Sequence, residues 1–176
     1  MASSAGHPRR DRTVALHATV RAPASVNRDR REATGEIARY LGAVSILLVG
    51  AVHAQQYYQA YFSFVPTIGT LFLLSFIGAA IVGVVLLAPV RRLGTIPGEL
   101  ILALAALGAI GIALGTLVSL LISEYTPLFG FMESGYRLAV DLTLLFDGLT
   151  TAFLGVFLLI VGPRLVRAIA TARRAR

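Results

Sequence analysis

The sequence predicts an all-α protein: a four-helix transmembrane bundle with both termini cytoplasmic and a disordered, Arg-rich N-terminal tail. Three observations carry this. Four apolar runs, at Ile37–Tyr57, Pro66–Ala88, Pro97–Ser123 and Leu138–Gly162, are each near or above the roughly 20 residues a helix needs to cross a hydrocarbon core of about 30 Å. Hydrophobic residues make up 56% of the 176-residue chain and charged residues only 14%, too apolar a balance for a water-soluble domain of this size. The 16 basic residues are all arginine. They gather ahead of the first run, between the second and third, and after the fourth.

Residues 1–36 show no apolar period, and Pro, Ser, Arg, Asp and Glu are scattered through them. Such a segment buries too little surface to offset its ordering entropy, so it is expected to be a disordered cytoplasmic tail. The bundle proper is expected over 37–162. Its first run ends near His53 and passes into the uncharged loop "QQYYQAYFSF". Pro66 and Pro97 stand where the first turns of the second and third helices should begin, which suits the fixed φ and missing N–H of proline. Pro89 and Pro163 follow apolar runs, where they can end or kink a helix. Residues 163–176 alternate arginines with Leu165, Val166 and Ile169. This reads as a basic helical extension whose arginines snorkel into the headgroups.

Arginine-rich flanks stay cytoplasmic. The loops 54–65 and 124–137 are therefore expected outside, and both termini and the 89–96 loop inside. The net charge of +7 is accounted for by this topology and by attraction to anionic inner-leaflet lipids. It gives no reason to invoke nucleic acid. The absence of cysteine excludes disulfides, thiol chemistry and cysteine-ligated metals.

Small residues mark the expected packing faces: Gly78 and Gly83 on the second helix, and Gly108, Gly111 and Gly115 on the third. Close backbone approach at such positions drives association where lipid offers no hydrophobic contrast. Ionisable side chains in the runs are few, and each costs about 2.5–3.5 kcal/mol on insertion scales. Glu99 is expected to complement the start of the third helix near Arg91 and Arg92. Glu133, Arg137 and Asp141 recur every four residues, a ladder of ion pairs on one helix face. Asp147 lies deeper, with Thr143, Thr150 and Thr151 on its stripe, and is expected to face the bundle interior. His53, with Gln56 and Tyr57 extending its polar face, is its expected partner. The ligand or proton-site candidates are thus His53, Gln56, Tyr57, Glu133, Asp141, Thr143, Asp147 and Thr151. Most aromatic residues of the outer loops read as an interfacial belt.

At "VHAQQYYQAYFSFVPTIGTLFLLSFIGA" and "EYTPLFGFMESGYR" the chain resembles a group of small four-span membrane proteins of actinobacteria. The matching positions are His53, Pro66, Gly69, Leu71, Phe72, Leu128, Phe129, Gly130, Phe131, Glu133, Gly135 and, for an acid in the fourth span, Asp147. Tyr136 stands where the group has tryptophan, and Asp147 where it has glutamate. The resemblance spans 37–162 and implies a fold but no activity.

No motif for nucleotides, phosphate or nucleophilic catalysis is present, so an enzyme is not the expected class. The favoured reading is an accessory or sensor membrane protein with an outward-facing polar and aromatic pocket around His53 and Asp147. Two alternatives stay open. One is a redox or metal protein in which His53, the one histidine in the spans, binds haem, copper or a quinone. The other is a proton-coupled transporter subunit using Asp147. The expected partners are the bilayer, its anionic lipids, and a second copy or a membrane-complex partner; no cofactor is specified.

Overall fold

The structure is a computed structural model, and it describes residues 23–59, 62–130, 132 and 138–174. Four helices follow one another: α1 (Pro23–Gln59), α2 (Pro66–Leu87), α3 (Thr95–Tyr125) and α4 (Leu138–Arg174). Short 3-10 turns at Phe62–Phe64 and Val90–Leu93 lie before and after α2. All four are long and apolar enough to span a membrane. Even α2, the shortest at 22 residues, rises about 33 Å.

The helices form a ring in chain order, with α1 packed on α2 and α4, and α3 packed on α2 and α4. The core is a column of fully buried aliphatic and aromatic side chains, including Ile46, Val49, Leu86, Leu102, Leu154 and Phe157. Alanines Ala79, Ala106 and Ala109 fill the narrow levels between them. Glycines set the approach of the helices. A Cβ on Gly83 would stand 2.6 Å from Leu47, and one on Gly78 3.0 Å from Ile112. On α1, Gly42 faces Leu154 of α4 and Gly50 faces Ala79 of α2, the latter with 3.1 Å left for a Cβ. In hydrocarbon this close packing, rather than exclusion of water, holds helices together.

Helix boundaries depart from the sequence expectation at the end of the bundle where α1 begins and α4 finishes. Part of the expected tail, residues 23–36, is helical and continuous with α1; residues 1–22 lie outside the described residues. An apolar period is not what supports this segment. It lies along the end of α4, where Gly35 meets Ile160 and Glu32 accepts a 3.2 Å bond from Arg164. Pro163 likewise falls inside α4, which runs on to Arg174. The basic extension is therefore part of the same helix. Pro66 is the first residue of α2, whereas α3 starts at Thr95 and places Pro97 third. Proline is tolerated throughout that first turn because its missing N–H would have no helical acceptor there.

Arg39 ties α1 to the end of α2. Only 4% exposed, it donates from Nη1 to the Leu86 carbonyl in the last turn of α2, where the helix supplies no donor of its own. Its Nη2 bonds Glu36 at 2.8 Å, and its guanidinium lies 4.2 Å from the Tyr40 ring centroid. The other Glu36 oxygen pairs with Arg91 of the loop between α2 and α3. Among the described residues Arg91 pairs with Glu36, and no ion pair joins it to Glu99. Gly98 seats α3 on the same loop: a Cβ there would come within 2.7 Å of the Arg91 Cα and of the Val90 carbonyl.

Candidate functional site

Near the other end of the bundle, the packing between α2 and α3 gives way. The two helices touch at Gly78–Ile112 and again at Gly108–Val82, where the added Cβ atoms would be 3.0 and 3.5 Å from a neighbour. One and two turns further out, Gly111 and Gly115 have nothing within 4 Å of an added Cβ. These two glycines, expected to pack helices inside the bundle or between copies, meet no neighbouring helix within the chain and leave a space beside α2. A cavity of about 440 Å³ occupies it, walled by all four helices and by Leu128 of the following loop. That volume is within the usual range for small-molecule sites, about 300–1,000 Å³.

The wall is apolar with uncharged polar groups set into it: His53, Gln56, Ser75, Thr116, Ser119, Ser123 and Thr143. His53 is 5% exposed, and its ring lies against Phe72 of α2, centroids 5.3 Å apart. Its Nδ1 is 2.8 Å from the Val49 carbonyl, one turn back on α1. A carbonyl only accepts, so Nδ1 carries the hydrogen, and Nε2 of the neutral ring is left as an acceptor. Gln56 is also buried and donates to Gln55 at 2.6 Å. Thr143 uses its hydroxyl on the Ala139 carbonyl at 2.9 Å.

Asp147 is fully buried on α4, one layer behind the cavity. Its Oδ2 accepts a 2.7 Å bond from Thr116, whose side chain also lines the cavity. Its Oδ1 and the Thr150 hydroxyl one turn on have no partner. His53 and Asp147 are expected to face one another or a shared water; no direct hydrogen bond or ion pair joins the two. The reason is azimuthal. The face of α1 that carries Gly50 and His53 is turned to α2, while Asp147 is turned to α3. His53 lines the cavity itself, and Asp147 reaches it only through Thr116, on a different helix interface.

Of the other candidates, Thr143 and Gln56 line the cavity and Thr151 does not. Tyr57 stacks edge-on with Tyr58, ring centroids 4.9 Å apart, away from the wall. Asp141 is exposed at the start of α4, while Glu133 and Arg137, its expected ladder partners, lie outside the described residues. Sequence reasoning drew its uncharged polar candidates only from the helical neighbours of His53 and Asp147, and so missed Thr116, Ser75, Ser119 and Ser123 on α2 and α3. The spacing of Thr116, Ser119 and Ser123 by three and four residues, continuing the line of Gly111 and Gly115, was the available signal. Among the described residues no group of three or more His, Cys, Asp or Glu side chains is placed to hold a metal ion.

The glycines give a direct test of this packing. Gly98→Ala is expected to destabilise by about 1–3 kcal/mol, because the contact it would strike is backbone. Gly111→Ala and Gly115→Ala are expected to be neutral or slightly stabilising, up to about 1 kcal/mol, since alanine is the better helix former. Thermal unfolding in mild detergent, followed by circular dichroism, checks the order.

Comparison of the chain with family models, with curated proteins and with solved structures gives no match.

Proposed function

We propose that this four-span membrane protein is a non-enzymatic binding protein, of accessory or sensor type, whose ligand occupies the cavity beside His53. The single observation that carries the reading is the cavity itself. Four helices that pack tightly elsewhere part to leave about 440 Å³, and hydroxyl, amide and imidazole groups converge on it. A pocket that is mostly apolar with a few placed polar groups is the usual form of a small-molecule site. The resemblance to the actinobacterial four-span proteins belongs to the same proposal, because four positions that carry it, His53, Leu71, Phe72 and Leu128, line the cavity. Native mass spectrometry on protein released from mild detergent tests the reading. Wild type should carry a bound mass that Gly115→Leu, which fills the cavity from its open side, has lost. Equal spectra for the two proteins, both folded, would contradict it.

A second reading has its own support. The free Oδ1 of Asp147 is buried one hydroxyl away from the cavity, the arrangement a proton-coupled carrier would need. Under that reading Asp147→Asn keeps the bound mass but abolishes any proton flux in reconstituted vesicles.

We further infer that both termini are cytoplasmic and that the arginines of the inner end meet anionic lipid. Asn27, Arg28, Arg30, Arg31, Arg164 and Arg167 line one groove between α1 and α4, just beyond the apolar runs. Single cysteines can be read without background in this cysteine-free chain. An impermeant thiol reagent on intact cells should label Ser63→Cys and spare Thr95→Cys; the opposite pattern inverts the orientation.

A further inference from the structure

We propose that the ligand is a neutral, hydroxyl-headed amphiphile, a long-chain alcohol or phenol, that reaches the cavity sideways from the bilayer through the gap between α2 and α3. The proposal rests on the reading of this cavity as a ligand site and adds the route and the chemistry.

The route follows from which parts of the wall are covered. His53 and Ser123, towards the outer end, are 5% and 4% exposed. Leu71 and Leu74 on α2 are 42% and 59% exposed, and Gly111, Gly115 and Ser119 on α3 are exposed as well. These residues form the two lips of a slot. On α3 the lip continues the face that presents Leu107, Leu114 and Val118 outward, the face that a membrane would cover. The slot is shut below by Gly78 against Ile112. It is wide because two glycines occupy the positions where side chains would otherwise bridge to α2. A slot at this depth, with leucine on one lip, admits molecules already dissolved in hydrocarbon.

The head chemistry follows from the wall. Among the described residues no charged side chain lines the cavity, and an ionic head taken out of water with no counter-charge would cost several kcal/mol. Asp147 does not change this, because Thr116 stands between it and the cavity and its free oxygen is sealed. The acceptor that faces this wall is His53 Nε2, which takes no hydrogen bond from a described residue. Ser119, on the lip, likewise makes no side-chain hydrogen bond among the described residues. A ligand hydroxyl would donate to Nε2 and could accept from such a serine, while its chain lies along the apolar wall. A ketone or ester head can only accept, and would leave Nε2 unpaired.

The test is photolabelling in phosphatidylcholine nanodiscs with three probes: hexadecanol bearing a chain diazirine, phosphatidylcholine bearing the same diazirine, and a water-soluble diazirine butanol. Labelled peptides are identified by mass spectrometry. Hexadecanol should label the cavity-facing segments of α2 and α3, and unlabelled hexadecanol should compete. Gly115→Leu should cut that labelling about 10-fold or more, with Gly115→Ala as the folded control. His53→Leu should weaken it about 2- to 10-fold, the span expected for one net hydrogen bond. Equal labelling by hexadecanol and phosphatidylcholine, indifferent to His53→Leu, would overturn the proposal. Labelling by butanol but not hexadecanol would also overturn it, while leaving a cavity that binds a ligand from water. If no probe labels the cavity in wild type, and native mass spectra show no bound mass, both the proposal and the binding reading fail.

Discussion

Arg39→Leu is expected to be the most damaging single replacement in the bundle, lowering stability by about 2–4 kcal/mol. Arg39 holds the Leu86 carbonyl at the end of α2, and it holds Glu36, which in turn holds Arg91 of the loop between α2 and α3. Leucine would leave that carbonyl and part of the Glu36 carboxylate without donors in a buried setting. Breaking a buried pair by removing one partner costs about 3–5 kcal/mol; Glu36 is 31% exposed, which brings the figure down. Glu36→Leu with Arg39→Leu should recover part of the loss, because no charge is then stranded. Recovery should be incomplete, because the Leu86 carbonyl still lacks its donor. Arg39→Lys should rescue poorly, since one ammonium cannot reproduce the two-sided fork of a guanidinium. Detergent-titration unfolding followed by circular dichroism measures all four proteins. An unchanged midpoint for Arg39→Leu would show that this cluster does not hold α1, the end of α2 and the following loop together.

The second large effect concerns Asp147. Thr116→Val removes the one hydrogen bond this buried carboxyl makes and is expected to cost about 1–3 kcal/mol, the penalty of leaving a buried polar group unsatisfied. Asp147→Leu combined with Thr116→Val should be close to wild type, because both polar partners leave together. The cycle should therefore show strong coupling between Thr116 and Asp147. His53→Leu and Asp147→Leu should instead add within about 0.5 kcal/mol, as residues without a shared bond do. Strong coupling between His53 and Asp147 would restore the direct pairing that the sequence suggested.

What could be read from the sequence followed the physics of the bilayer. Four runs longer than a hydrocarbon core needs leave no soluble alternative, so the number and order of the helices were legible. Pro66 announced the start of α2 to the residue. The burial of Asp147 was legible too, because threonines one turn away on each side form a stripe that lipid would not tolerate. Its partner was not. Depth along a helix can be counted from a sequence, but the direction a residue faces depends on how four helices are rotated against one another. That rotation is set by contacts such as Gly42 on Leu154 and Gly83 on Leu47, which no single run displays. The same limit explains Gly111 and Gly115. A glycine spacing shows where backbones can approach, and here the neighbour stays away. The start of α1 was misread for a different reason: residues 23–36 are helical beside α4, and pairing between distant segments leaves no periodic trace.

The direction in which the cavity opens is the claim on which the functional account depends, and site-directed spin labelling measures it. A nitroxide at Ser119→Cys stands on the α3 lip of the slot, and one at Ser63→Cys stands on the exposed turn before α2. Each is read in bilayers for collisions with dioxygen, which concentrates in hydrocarbon, and with a water-soluble nickel chelate. The account predicts that the label at 119 collides more with dioxygen, that the label at 63 collides more with nickel, and that Gly115→Leu leaves both in that order. A label at 119 that meets the nickel chelate more often than dioxygen would place water in the slot and contradict access from the bilayer.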